Sequence, residues 1–127
     1  MFVRYAVHRK SFDSHTNDVR TIVGLLSPPG QNQISIEQFR VALVHEKSQL
    51  GNHYRDYGEI YGIIGEADFL LEDIETKERT VYPIKTGDQL YVPKGTALRI
   101  TADKGTVIIC CSEKHDRETG THKYEFS

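Results

Sequence analysis

Hydrophobic and polar positions along this chain alternate in short runs broken by turn residues. β-branched and aromatic side chains crowd positions 19–26, 34–45, 59–64, 67–71, 80–84, 89–92, 97–101 and 106–111, and such runs read as strands. Between them stand Ser27-Pro28-Pro29-Gly30, the charged stretch 72–79, Lys85-Thr86-Gly87-Asp88, Pro93-Lys94-Gly95 and Ala102-Asp103-Lys104-Gly105. Each carries turn chemistry, a charge cluster or both. The pattern has no helical period and predicts an all-β sandwich or barrel. The run 34–45 alternates most clearly. Phe39, Val41, Leu43 and His45 share one face, and Gln38, Arg40, Ala42, Val44 and Glu46 share the other. Apolar residues on both faces predict a strand covered on each side.

Composition narrows the class further. The 127 residues suffice for one domain, and 38% hydrophobic with 27% charged residues is ordinary for a globular protein. A formal charge of −2 gives no electrostatic reason to expect nucleic acid or an anionic membrane as partner. No segment reaches the ~20 apolar residues that span a bilayer, and Met1-Phe2-Val3-Arg4-Tyr5 lacks the layout of a secretory signal. The expectation is therefore a cytoplasmic protein. Cys110 and Cys111 are adjacent, so on a strand they face opposite ways and stay reduced, one of them in the core. There is no internal repeat, linker or low-complexity tract.

Two stretches resemble the paired motifs of the cupin superfamily. The first family motif is glycine, His-x-His, a glutamate three or four residues on, and a further glycine. Gly51-Asn52-His53-Tyr54-Arg55-Asp56-Tyr57-Gly58-Glu59 supplies His53 and Glu59, with Gly65 one residue early. The second is glycine, five residues, Pro-x-Gly, two residues and histidine. Gly87 to Leu98, with Pro93-Lys94-Gly95, matches every position except the last, which is Leu98. The intervening 67–86 is of hairpin length, and the resemblance covers roughly 34–112. It implies a double-stranded β-helix (jelly roll) as a single domain over 1–127. It also implies a homodimer, because small cupins commonly cover an outer sheet with a partner.

Metal-binding cupins use two histidines and a glutamate from the first motif and a histidine from the second. This chain has Arg55 and Leu98 at two of those positions, so the expectation is no cofactor and no metal. If a metal were held, His53 and Glu59 would begin the site, and a residue outside the motifs such as His45 would have to join. A fixed cation at Arg55 repels a metal ion and can pair with Glu59.

On a strand His53 and Arg55 share a side, and the resemblance makes that side the barrel interior. Leu98 and Ile100 would form an apolar wall, with Tyr57, Glu59 and Tyr61 close by. Imidazole, guanidinium, carboxylate and phenol against a hydrophobic floor suit a small polar ligand, a sugar or an anionic metabolite. Each residue also has a plainer reading. Arg55–Glu59 could be a buried pair, His53 a hydrogen-bonded core residue, and Tyr57 and Tyr61 packing. His8, His15, His45, His115 and His122 show no metal-ligand spacing, and 113–118 is a solvated mixed-charge segment.

Within the cupins, Gly51-Asn52-His53-Tyr54 is similar to the carboxy-terminal domains of capsular polysaccharide reductases. It is more loosely similar to dTDP-4-keto-6-deoxyhexose 3,4-ketoisomerases and dTDP-4-dehydrorhamnose epimerases. The last two groups work without metal on nucleotide sugars. That resemblance implies His53 as base, Arg55 stabilising an enolate oxygen, and Tyr61 as the returning acid. The ketoisomerase pattern carries a second histidine where Arg55 stands. Three functions stay open: a metal-independent sugar isomerase or epimerase, a non-catalytic binding or sensing cupin, and a metallo-cupin with atypical ligands.

Overall fold

The computed structural model describes residues 6–8, 14–16, 21–23, 37–113 and 120–127. They form almost entirely strands and the turns joining them: β1 (Ala6–His8), β2 (Ser14–Thr16), β3 (Thr21–Val23), β4 (Gln38–Leu43), β5 (Ser48–Arg55), β6 (Glu59–Ile64), β7 (Glu66–Asp73), β8 (Arg79–Lys85), β9 (Gln89–Val92), β10 (Thr96–Ala102), β11 (Val107–Ser112) and β12 (Thr121–Lys123). Two five-stranded antiparallel sheets, ordered β1-β9-β6-β11-β4 and β12-β5-β10-β7-β8, accompany a small β2-β3 hairpin. This is the all-β jelly roll expected from the strand pattern. No helix among the described residues is long and apolar enough to cross a membrane.

The core lies between the sheets and is built by alternation. On β7, Ala67, Phe69 and Leu71 turn inward; on β10, Leu98, Ile100 and Ala102; on β6, Tyr61 and Ile63; on β11, Ile108 and Cys110. Phe69, Ile63 and Leu71 are fully buried, and burial of each large side chain stabilises the fold by roughly 1.5–3 kcal/mol. The turns follow their sequence chemistry. Asp73 Oδ1 accepts from the backbone N–H groups of Glu75 (2.9 Å) and Thr76 (3.2 Å), closing the β7–β8 turn. Asp88 Oδ2 accepts from the Lys85 N–H at 3.0 Å before β9.

The predicted runs at 59–64 and 89–92 coincide with β6 and β9, and those at 67–71, 80–84, 97–101 and 106–111 fall within a residue or two of β7, β8, β10 and β11. The run 34–45 contracts to β4, with 34–36 outside the described residues, and 19–26 contains β3. No apolar run marked 48–55 as a whole, because β5 carries Gln49, Asn52, His53 and Arg55. Cys110 and Cys111 are both free and buried, on opposite faces of β11.

The expectation that both faces of β4 are covered is met only in part on the inner face, where Ala42 is exposed, and not on the outer one. Arg40 on the inner face is part-buried, whereas Phe39, Val41 and Leu43 on the outer face are 60%, 50% and 62% exposed.

Candidate functional site

The site is organised around one buried carboxylate. Glu59 and Tyr61 leave the same face of β6, and β11 lies beside it with Ser112 paired to Glu59 and Cys110 to Tyr61. β4 flanks β11, pairing Arg40 with Cys110. These registers bring three strands' inward side chains onto Glu59. Its Oε2 accepts from Arg40 Nη2 at 2.9 Å, Ser112 Oγ at 2.9 Å, Cys110 Sγ at 3.0 Å and Arg55 Nη1. Its Oε1 accepts from the Tyr61 hydroxyl at 3.0 Å. Burial alone would raise the Glu59 pKa. The hydrogen bond and charge of Arg55, aided by Cys110 and Ser112, instead hold it below the usual carboxylate value. Burial likewise opposes the Arg55 charge, and Glu59 restores it, raising the guanidinium pKa.

The second sheet supplies His53 and Arg55 through an irregular strand. Gly51 and Asn52 have φ of 96° and 57°, and the β5–β10 register shifts between Leu98 and Arg99. A β-bulge therefore sits immediately before His53 and re-aims the end of the strand. Gly51 is required there: an added Cβ would lie 2.7 Å from the Leu98 carbonyl oxygen. Asn52 tolerates the left-handed conformation, and its Oδ1 accepts from Arg99 Nε at 2.8 Å. Beyond the bulge, β12 pairs with β5, and Thr121 Oγ1 accepts from Arg55 Nε at 3.1 Å.

A cavity of about 390 Å³ opens beside this cluster. His53, Arg55, Tyr61, Arg40 and Cys110 line it on the polar side, and Val41, Ala42, Leu50, Ile100 and Ile108 on the apolar side. His53 Nε2 is buried without a hydrogen-bond partner, and the ring's backbone bond is to Gly51. In the Nδ1–H tautomer the Nε2 lone pair is the basic site. Burial first, then the Arg55 charge, hold the imidazole below the ordinary histidine value, against the pull of Glu59. Burial drives Tyr61 well above the ordinary phenol value, with the sulfur of Cys110 and the charge of Glu59 adding to it. The Cys110 thiol is pushed up to about 12, mainly by burial and then by Glu59. At neutral pH the cluster thus holds two guanidinium cations, one carboxylate, a neutral imidazole, a neutral phenol and a neutral thiol.

Of the residues singled out in the sequence, His53, Arg55 and Tyr61 line this cavity, and Glu59 sits behind them holding Arg55 and Tyr61. Tyr57 and Leu98 are not among the lining residues. Tyr57 lies in the bend after β5, buried, with the Arg55 guanidinium carbon 6.0 Å from its ring centre. Leu98 is opposite His53 in the β-ladder but fills the core. His45 is exposed in the bend after β4. His122 pairs with Asp56 Oδ2 at 2.9 Å and stacks on Tyr54; His115 lies outside the described residues, as do 114–118 of the mixed-charge segment. Arg40, Cys110, Ser112 and Thr121 were not singled out. The signal for Arg40 was its inward phase on the alternating run 38–44. That for Cys110 and Ser112 was the β11 register against Glu59, which no single-strand pattern reveals.

These residues do not fit a divalent cation. Oε2 of Glu59 already receives four donors, two of them guanidinium groups, so His53 and Glu59 cannot offer an open pair of ligands. Among the described residues no group of three or more His, Cys, Asp and Glu side chains converges as a metal requires.

No family model matches the chain, and no curated protein sequence matches it. Solved structures do. The dTDP-4-dehydrorhamnose 3,5-epimerase of Bacillus anthracis, solved with TDP and pyrophosphate, superposes with a TM-score of 0.81 at 15% identity, over 94% of this chain and 78% of that one. The chain has the cupin fold. A 3,4-ketoisomerase from Helicobacter canadensis superposes on this chain with a TM-score of 0.76 at 11% identity, covering 96% of this chain and 92% of that one. A single-site mutant of the 3,4-ketoisomerase QdtA from Thermoanaerobacterium thermosaccharolyticum, in complex with TDP-4-keto-6-deoxyglucose, gives 0.74 at 11% identity, with 97% and 89% covered.

Proposed function

We propose that this cupin is a metal-independent isomerase or epimerase acting on a keto sugar, with a nucleotide sugar as the substrate form. The observation that carries the reading is the His53 Nε2 lone pair, buried and unpartnered on a cavity it shares with the Arg55 guanidinium. An imidazole that stays neutral at working pH is a competent base. His53 Nε2 takes a proton from the carbon beside the substrate carbonyl, and the C–H electron pair moves in to make the enolate. Arg55 stabilises the negative oxygen, fixed for that task by Glu59 on one side and Thr121 on the other. Return of the proton from His53 to the former carbonyl carbon, with the proton of the neighbouring hydroxyl passing to the enolate oxygen, gives the keto isomer with no other reagent, whereas epimerisation needs a proton delivered to the opposite face of the original carbon. Tyr61 keeps its proton on Glu59 in this scheme and orients the carboxylate. The two free, buried cysteines suit a reducing cytoplasm, and the exposed outer face of β4 suits a homodimer.

The test is solvent exchange. TDP-4-keto-6-deoxyglucose, the ligand of the QdtA complex, is incubated with the protein in deuterated buffer and its carbon-bound protons are followed by NMR. Exchange by the wild type that falls at least a hundredfold in His53→Ala supports the reading, since a positioned base contributes about 10²–10⁴-fold. Exchange that persists in His53→Ala overturns it. A second reading, a non-catalytic binding module, is favoured by Arg55 standing where the ketoisomerase pattern has a second histidine. Saturable binding without exchange would select that reading.

A further inference from the structure

We infer that the ligand of this cavity carries a carboxylate and that Arg40 is the residue that recognises it. The inference deepens the proposed function and rests on its choice of this cavity as the site.

Charge balance is the starting point. Within one hydrogen-bonded cluster stand the cations Arg40 and Arg55 and the anion Glu59. Cys110 and Tyr61, which also touch Glu59, hold their protons, and among the described residues no Asp or Glu lines the cavity. Among the described residues, two positive charges against one negative leave the cavity wall with a net charge of +1. The rest of the lining includes Ala42, Leu50, Ile100 and Ile108, whose side chains cannot solvate a cation. A part-buried cation beside an apolar wall is stable only with a counter-charge or good hydrogen bonds.

Arg55 cannot be the cation in surplus. Its Nη1 is on Glu59 and its Nε on Thr121, and its side chain is 9% exposed. Arg40 is the freer of the two. Its Nη2 reaches Glu59, with longer contacts to Cys110 and Ser112, while its Nε is buried without a partner, and its side chain is 25% exposed. It is therefore the cation with accessible surface on the cavity. A single surplus charge matches a monoanion, and a planar guanidinium suits a carboxylate. The apolar wall then takes the carbon skeleton, as pockets for ring-sized ligands do. Within the proposed function, the substrate class is a keto sugar that bears a carboxylate.

The test compares D-glucuronate with D-glucuronamide, which have the same ring and differ in charge, by NMR titration of the wild-type protein at fixed ionic strength. D-glucuronate binding at least tenfold tighter than the amide, with the preference shrinking to less than threefold in Arg40→Gln and partly kept in Arg40→Lys, supports the inference. Equal binding of acid and amide overturns it and leaves the sugar reading of the cavity standing. Binding of neither, while TDP-4-keto-6-deoxyglucose binds, also overturns the inference alone. Binding of none of the three overturns both. A preference equally displaced by inorganic phosphate at the same concentration overturns it too, because the site would then read charge rather than a carboxylate. Should Arg40→Gln fail to fold, the acid–amide comparison and the phosphate competition on the wild type still decide.

Discussion

At the residue scale, the surroundings of His53 and Glu59 set the protein's response to acid, and they do so in separate pH windows. The folded-state pKa of His53 lies below that of the unfolded chain, because burial and Arg55 disfavour its charged form. Above about pH 6.5 both states leave the imidazole neutral and it has no effect on stability. As pH falls through that value the unfolded chain takes up a proton that the folded one refuses, so stability declines toward the lowered pKa. Glu59 is depressed, so its contribution is present above the ordinary carboxylate range and is lost only as pH falls through its lower folded value. Urea unfolding at intervals between about pH 7.5 and 5 should therefore show a fall in stability below about pH 6.5 that is shallower in His53→Gln. Identical slopes in the two proteins would mean that His53 is not held neutral. The same neutrality lets His53 serve as a base somewhat below about pH 6.5, which ties the acid sensitivity of the fold to the chemistry proposed for the site.

At the element scale, β5 decides where His53 points, and it does so through the bulge at Gly51 and Asn52. Gly51 combines a φ of 96° with a backbone neighbour at 2.7 Å from any added Cβ, so neither rotation nor a side-chain shift relieves the clash. Gly51→Ala should lower stability by roughly 1–3 kcal/mol and weaken ligand binding by moving His53, measured by thermal unfolding and by titration on the same sample. Unchanged binding in a folded Gly51→Ala protein would show that the bulge does not set the site. This element also marks the limit of what the chain reveals by itself. Strands such as β6 and β9 were legible, since β-branched, aromatic and aliphatic residues crowd both and nearly every position is buried. β5 was legible only through the motif residues Gly51, His53 and Glu59, because a strand that faces a polar cavity lacks the apolar phase. β12 was illegible as a strand, since three residues of Thr-His-Lys carry no period. Arg40, Ser112 and Cys110 converge on Glu59 through pairings between strands far apart in sequence, which no local pattern encodes. The Arg55–Glu59 pairing was the exception: two charged residues four apart, flanking a turn, at positions where the resemblance puts side chains inside a barrel.

At the scale of the whole molecule, the outer face of the first sheet needs a cover that the described chain does not give it. Phe39, Val41 and Leu43 on β4 continue across the ladder into Ile109 and Val107 on β11 and Ile64 on β6, the last 47% exposed. A contiguous apolar patch of this kind on a globular domain marks an interface, and among the described residues β4 is also the edge of its sheet, where unpaired backbone groups invite another strand. A second copy satisfies both demands at once, because a two-fold contact lays the same patch on itself. The inner face of β4 would give such an assembly a bearing on the site. Arg40 leaves that face between Phe39 and Val41, so packing that steadies the outer residues also steadies the guanidinium. Light scattering with size-exclusion chromatography should give about 29 kDa for the wild type, twice the chain mass of 14.5 kDa. Leu43→Asp, which places a charge at the patch and leaves every hydrogen-bonding residue of the cavity in place, should shift the protein to the monomer and weaken ligand binding. A wild-type monomer would remove the dimer. A Leu43→Asp monomer with full binding would keep the interface but separate it from the site.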